Sequence, residues 1–174
     1  MFFELNTELQ KHIGKQKQFD DITLISFRRK LILEKNQHAL CRVARLDVLG
    51  ELRNFAEQAA RQSGLNSDDT FAFKLSAEEI CANIIQYGYE GAEPGLLSLF
   101  FEVDAQVARL TIRDDGKYFS PEQAKTPNIE AGLDEREIGG LGIYLVKELM
   151  DKVAYDRTEE GINQFVLEKK LSTV

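Results

Sequence analysis

LSAEEICANIIQYGY, Leu75 to Tyr89, is the stretch on which the reading of this chain turns. Glu79 and Asn83 are four residues apart, so on a helix they lie about one turn apart on a single face. Leu75, Ala82 and Ile85 fall close to the same sector, the one expected to turn inward. A carboxylate on an inward face is costly to desolvate unless a cation, or a proton to be abstracted, uses it there. The plain alternative is a glutamate at the helix boundary in water, since isolated charges are usually solvated.

Working outward, Asn66 or Ser67 is the cap of this helix, and Asp68 and Asp69 suit the positive end of its dipole. Before it, Asp47 is expected to cap a helix whose Val48, Leu52, Phe55 and Ala59 form one stripe and which Gly64 closes. CRVARL, residues 41–46, reads as a strand. At the start of the chain, residues 1–13 read as a short helix and DDITLISFRR, residues 20–29, as a strand.

After the turn GAEPG, the segments LLSLFFEV and VARLTI pair as a hairpin across Asp104 to Gln106. Leu110, Ile112 and Asp114 then share one strand face, so Asp114 ends an inward apolar row and meets Asp115 and Gly116 at once. A buried-edge carboxylate there adjoins a place where the backbone can be approached closely, although Asp-Gly turns by themselves are common. Residues 119–138 are polar and lack periodicity, as a functional lid or a disordered loop would. They run into GGLGIYLVKELMDKV, where Gly139, Gly140 and Gly142 open a helix with an apolar stripe of Ile143, Val146, Met150 and Val153. A glycine loop feeding a helix N-terminus is a ready anion site, and also an ordinary connection. INQFVLEK is expected to be the last strand, with Asn163, Phe165 and Leu167 facing one way.

The bulk properties narrow the classes. The 174 residues fit one ordinary domain with room for little more. Net charge is −7, and no basic cluster stands out beyond Arg28 to Lys30, so direct nucleic-acid binding is not expected. No apolar run approaches the roughly 20 residues of a membrane-spanning helix. Cys41 and Cys81 have no CxxC or Cys/His company, which fits a reduced, cytoplasmic compartment. His12 and His38 lie far in sequence from any nucleophile, leaving histidine-dependent triads with little support.

The order of the motifs is more specific than any one of them. E79-I-C-A-N83 with its trailing YGY, then IRDDGKYF, then IGGLGIYLVKELMD, then G161-I-N-Q-F-V-L-E-K resemble the GHKL (Bergerat-fold) ATPases, and within them most closely the anti-sigma factor serine kinases. The resemblance runs from about Leu31 to Leu171. It implies an α/β, two-layer α+β sandwich with a mixed, mostly antiparallel sheet and helices on one face, holding ATP and Mg²⁺ between helix and lid.

Roles follow from that resemblance. Asn83 would give its amide oxygen to Mg²⁺, and Asp114 would accept from the adenine 6-amino group. Gly116 would let the base lie close to the backbone, and Gly139, Gly140 and Gly142 would wrap the phosphates in place of the GxxxxGK[ST] loop that is missing here. Asn163 joins the nucleotide set, and Arg136 in the lid would reach the terminal phosphate, with a surface arginine as the alternative. Glu79 would be the general base for an attacking hydroxyl. Sensor histidine kinases usually carry asparagine at that position, so a carboxylate favours a serine hydroxyl, as in the serine kinases, or a water, as in gyrase and MutL, and the short lid and small size disfavour the latter. Two positions depart from the family pattern: Tyr118 stands where many relatives have Pro or Gly, and Tyr87 where some have His.

The implied function is an ATP-dependent serine/threonine protein kinase that phosphorylates a serine of a STAS-type anti-anti-sigma partner and sequesters a sigma factor. A homodimer is left open. QFDDITLISFRR also resembles the C-terminal end of PPM-type serine phosphatases, which suggests residues 1–30 as an extension and 31–174 as the ATPase domain. Without the rest of a phosphatase domain, Asp20 and Asp21 are expected to have no catalytic role. Two rivals stay in view: a non-catalytic, nucleotide-responsive binding module within a phosphatase–kinase fusion, and the catalytic part of a histidine kinase.

Overall fold

The computed structural model describes residues 36–118 and 141–171. The expected opening helix and strand, the domain boundary near residue 30, the lid, Arg136, Gly139 and Gly140 lie outside the described residues.

Strand β1 (Gln37–Val43) is followed by a 3-10 turn, Leu46–Val48, and helix α1 (Leu49–Gln62). Asp47 falls inside that turn, and α1 starts without a side-chain cap, so the expected Asp47 cap is replaced by a helical lead-in. Gly64, at φ +83°, ends α1 with its N–H on the Arg61 carbonyl, as a left-handed C-terminal residue should. Asn66 caps α2 (Ser67–Asn83): its side-chain oxygen accepts from the Asp69 N–H at 2.8 Å.

β2 (Leu96–Val103) and β3 (Val107–Asp114) form the expected hairpin. Asp104 Oδ1 accepts from the N–H groups of both Gln106 and Val107 and fixes the turn. α3 (Leu141–Leu149) precedes β4 (Lys152–Arg157) and β5 (Asn163–Lys170). β4 corrects the sequence reading, in which Val153 was the last residue of a helical stripe; instead Val153 pairs with Leu167 in the sheet.

The strand order is β1-β2-β3-β5-β4, and among the described residues every pairing is antiparallel rather than mixed. Leu97, Leu99 and Phe101 of β2, Leu110 and Ile112 of β3, and Phe165 and Leu167 of β5 are buried on one face. Leu52 and Ala56 of α1, Phe73 and Ile80 of α2 and Val146 of α3 close the same core. Phe73 meets Phe101 edge-on, with ring centroids 5.0 Å apart at 82°, a pairing that adds about 1 kcal/mol beyond the area it buries. Asp114 and Asn163 extend the apolar rows of β3 and β5 to one edge of the sheet, where they lie directly opposite each other.

Candidate nucleotide site

At that edge the polar residues form a closed network. Asn163 donates from Nδ2 to Asp114 Oδ1 at 2.9 Å, and the same nitrogen lies 3.2 Å from the Gly116 carbonyl and 3.1 Å from that of Lys117. Its Oδ1 accepts from the Tyr155 hydroxyl at 2.9 Å. Asp114 Oδ1 also accepts from the Gly116 N–H at 2.9 Å. Among the described residues, Asp114 Oδ2 accepts no hydrogen bond. Both Asp114 and Asn163 are buried. Burial holds the Asp114 carboxyl above its ordinary range, against the opposing pull of the bonds from Asn163 and Gly116.

Beside this network α2 continues directly into a π-helical turn, Ile84–Gly88. Such i→i+5 turns recur at functional sites because they swing side chains out of helical phase. Gly88 O accepts from the Lys117 N–H at 2.7 Å, drawing the turn onto the end of β3. Gly116 is the residue that allows this approach. A Cβ there would stand 2.7 Å from Gly88 O and 2.9 Å from Asp114 Oδ1, so a backbone contact within the fold already demands glycine at this position.

These elements enclose a cavity of about 130 Å³, with Asn83, Ile84 and Tyr87 on one side, Asp114 and Asn163 at its base, and Tyr118, Ile143 and Tyr155 along its wall. Tyr118 and Tyr155 lie 5.5 Å apart between ring centroids, and Tyr155 packs on Phe165 at 4.7 Å. The cavity is an apolar slot with a carboxylate at its base, the shape and chemistry that suit a flat base carrying an amino group. Asn83 lines the slot at the end of α2, and among the described residues its amide is engaged by no other side chain. An amide oxygen held there suits a hard cation that bridges phosphates. A larger open notch of about 350 Å³ lies across Gly116, around Tyr89, Glu93 and Asp115, and includes neither Glu79 nor Asn83.

Glu79 is half-buried and does not line the slot. The buried stripe of α2 is Phe73, Ser76, Ala77, Ile80 and Cys81, so Leu75, Ala82 and Glu79 sit at its boundary and not in its centre as the sequence suggested. Burial, and then the neighbouring Glu78 charge, raise the Glu79 carboxyl above its ordinary value. The first turn of α3 meets Glu79 directly: a Cβ on Gly142 would collide with Glu79 Oε2 and stand 3.1 Å from its Cδ.

The structure therefore brings Asn83, Asp114 and Asn163 together around one slot, with Gly116 bonded to Asp114 and lining the neighbouring notch, and Glu79 and Gly142 together beside it. Sequence reasoning passed over Tyr155, because the helical stripe was carried to Val153 and the residues that follow were assigned no element. The alternation of Val153 and Tyr155, followed by a turn at Gly161, was the available signal.

Residues 43–168 match the histidine kinase-like ATPase domain family. The chain belongs to this family. Curated members similar to this ATPase domain include the serine/threonine-protein kinase BtrW of Bordetella bronchiseptica, 29% identical over 97 residues, 56% of this chain and 68% of that protein. Serine-protein kinase RsbW of Bacillus licheniformis is 29% identical over 114 residues, 63% of this chain and 71% of that protein. RsbW of Bacillus subtilis is 28% identical over 116 residues, 63% of this chain and 71% of that protein. Among the described residues of this family member, no helix is long and apolar enough to cross a membrane.

Proposed function

We propose that this chain is an ATP-dependent protein serine/threonine kinase that acts as an anti-sigma regulatory factor, modifying a serine of a STAS-type partner and sequestering a sigma factor when that partner is unavailable. The observation that carries the reading is Glu79, a half-buried carboxylate one helical turn before Asn83 and pressed against the first turn of α3. Its raised pKa makes it a better proton acceptor than a solvated glutamate, as general-base work on a hydroxyl requires.

The positions of the side chains support a division of labour. Asp114 Oδ2 would accept from the 6-amino group of adenine while Tyr118 and Tyr155 flank the ring. Asn83 would supply an oxygen to Mg²⁺, whose chemistry is to neutralise and bridge phosphate oxygens. Glu79 would take the proton of the serine hydroxyl as the terminal phosphoryl group of ATP passes to the serine oxygen, its bond to the bridging oxygen breaking and ADP leaving. The names of the relatives, which are serine and serine/threonine kinases, support a hydroxyl acceptor over an imidazole.

The test is phosphate transfer to a STAS-type partner, read together with calorimetric binding of ATP and ADP with and without Mg²⁺. Glu79→Gln should bind ATP as wild type does and lose transfer by roughly 10²-fold or more. Asn83→Ala should lose the Mg²⁺ dependence of binding. Undiminished transfer in Glu79→Gln would exclude that residue as the base.

A further inference from the structure

Tyr155 and Asn163 have no established part in the chemistry, yet they control the carboxylate at the base of the slot. Asn163 Nδ2 faces three oxygens, those of Asp114 Oδ1, Gly116 and Lys117, and its Oδ1 faces the Tyr155 hydroxyl. Only one orientation of the amide satisfies this arrangement, since a flipped amide would set its oxygen against three acceptors. The three acceptors and the Tyr155 hydroxyl hold the amide from its two ends, and the amide holds Asp114. Asp114 Oδ1 is consumed by Asn163 and by the Gly116 N–H, which leaves Oδ2 as its acceptor toward the slot.

We infer that Tyr155 and Asn163 are specificity-determining positioning residues: by holding one oxygen of Asp114 inside the fold, they aim the other so that the site selects a purine with a 6-amino donor over one with a 6-keto acceptor. The inference rests on the reading of the slot as an adenine site and adds the device that sets its selectivity. A carboxylate aimed this way bonds an amino group and leaves a keto oxygen facing an acceptor, an arrangement that rejects the wrong base through unpaired polar groups. Without the Tyr155 hydroxyl, the Asn163 amide loses the donor on its oxygen and is held only from its nitrogen side, so Asp114 is oriented less firmly; without Asn163, Asp114 keeps only the Gly116 N–H. Binding of the amino-bearing base then weakens, whereas binding of the keto base, which never used Oδ2, does not.

The experiment measures dissociation constants of ATP and of inosine triphosphate by calorimetry for wild type, Tyr155→Phe, Asn163→Leu and Asp114→Asn, with circular dichroism to establish folding. Tyr155→Phe keeps the ring that packs on Phe165 and Tyr118 and removes only the hydroxyl. The expected result is a wild-type preference for ATP that falls about two- to tenfold in Tyr155→Phe and Asn163→Leu, through weaker ATP binding at unchanged inosine triphosphate binding. If both variants weaken the two nucleotides by the same factor while Asp114→Asn abolishes the preference, the adenine site stands and the positioning role is overturned. If wild type binds both nucleotides equally, the adenine reading fails and this inference fails with it.

Discussion

The carboxylate of Glu79 occupies the space in which a side chain at position 142 would stand. Glu79 belongs to α2 and Gly142 to the first turn of α3, so the absence of one methyl group sets how closely the acid approaches the start of α3. Gly142→Ala should displace the carboxylate without altering the slot lined by Asn83 and Asp114. Phosphate transfer is expected to fall roughly 10²-fold, the cost of misplacing a catalytic group by about 1 Å, with ATP affinity much less affected. A parallel loss of affinity and rate would assign Gly142 to phosphate binding instead. Calorimetry and single-turnover transfer on the same variant distinguish the two.

Asp114 has its carboxyl raised by burial. The folded protein therefore holds that proton more tightly than the unfolded chain does, and unfolding is opposed most strongly below the ordinary carboxylate range. As pH rises through that range toward the raised value, this contribution is lost. Asparagine is close in shape, keeps an oxygen for Asn163 and Gly116, and does not titrate. Asp114→Asn should thus unfold at higher denaturant than wild type near pH 7, with the gap narrowing toward pH 4, while ATP binding is lost at both. A variant less stable than wild type at pH 7 would show that the hydrogen bonds to the charged form outweigh the desolvation.

Gly116 and Gly88 adjoin each other and should respond differently to the same substitution. A Cβ at Gly116 meets Gly88 O at 2.7 Å and Asp114 Oδ1 at 2.9 Å, whereas a Cβ at Gly88 finds Ile84 Cγ2 at 3.5 Å, an ordinary packing distance. Gly116→Ala is expected to cost about 1–3 kcal/mol of stability through overpacking against fixed backbone. Gly88→Ala should stay within about 1 kcal/mol. Denaturant melts of the two variants suffice to test the contrast.

Much of this arrangement was legible in the sequence because strand alternation and turn chemistry are local. The β2–β3 hairpin, the Asn66 cap and the inward row ending in Asp114 all follow from a few adjacent residues. The inward face of α2 was not legible in the same way. That helix packs on both α1 and the sheet, so Phe73, Ala77, Ile80 and Cys81 spread its buried surface over a wide arc, and choosing Leu75 and Ala82 as its centre was off by part of a turn. β4 was missed because KVAYDR is short and follows an apolar helix whose period Val153 happens to continue. The role of Asn163 is tertiary: nothing in INQFVLEK reveals that the amide is satisfied by Asp114, two backbone carbonyls and a tyrosine from the neighbouring strand.

Lys169, near the end of β5, secures the helix that presents Gly142. Its Nζ donates to the carbonyl of Leu149, the last residue of α3, at 3.1 Å and lies 3.6 Å from Asp69 in the first turn of α2 and 3.8 Å from Asp151. A cation at a helix C-terminus complements the dipole and fills a carbonyl that would otherwise be unpaired. Both carboxylates are beyond ideal hydrogen-bonding distance, so the carbonyl bond and the dipole should dominate. Lys169→Met keeps the aliphatic stem and removes the charge. It is expected to destabilise the fold by about 1–2 kcal/mol, and this loss should persist largely undiminished in 0.5 M salt, because the side chain is only 19% exposed and partly buried interactions are weakly screened. A loss that vanishes in salt would instead give the dominant role to the more exposed Asp151 carboxylate.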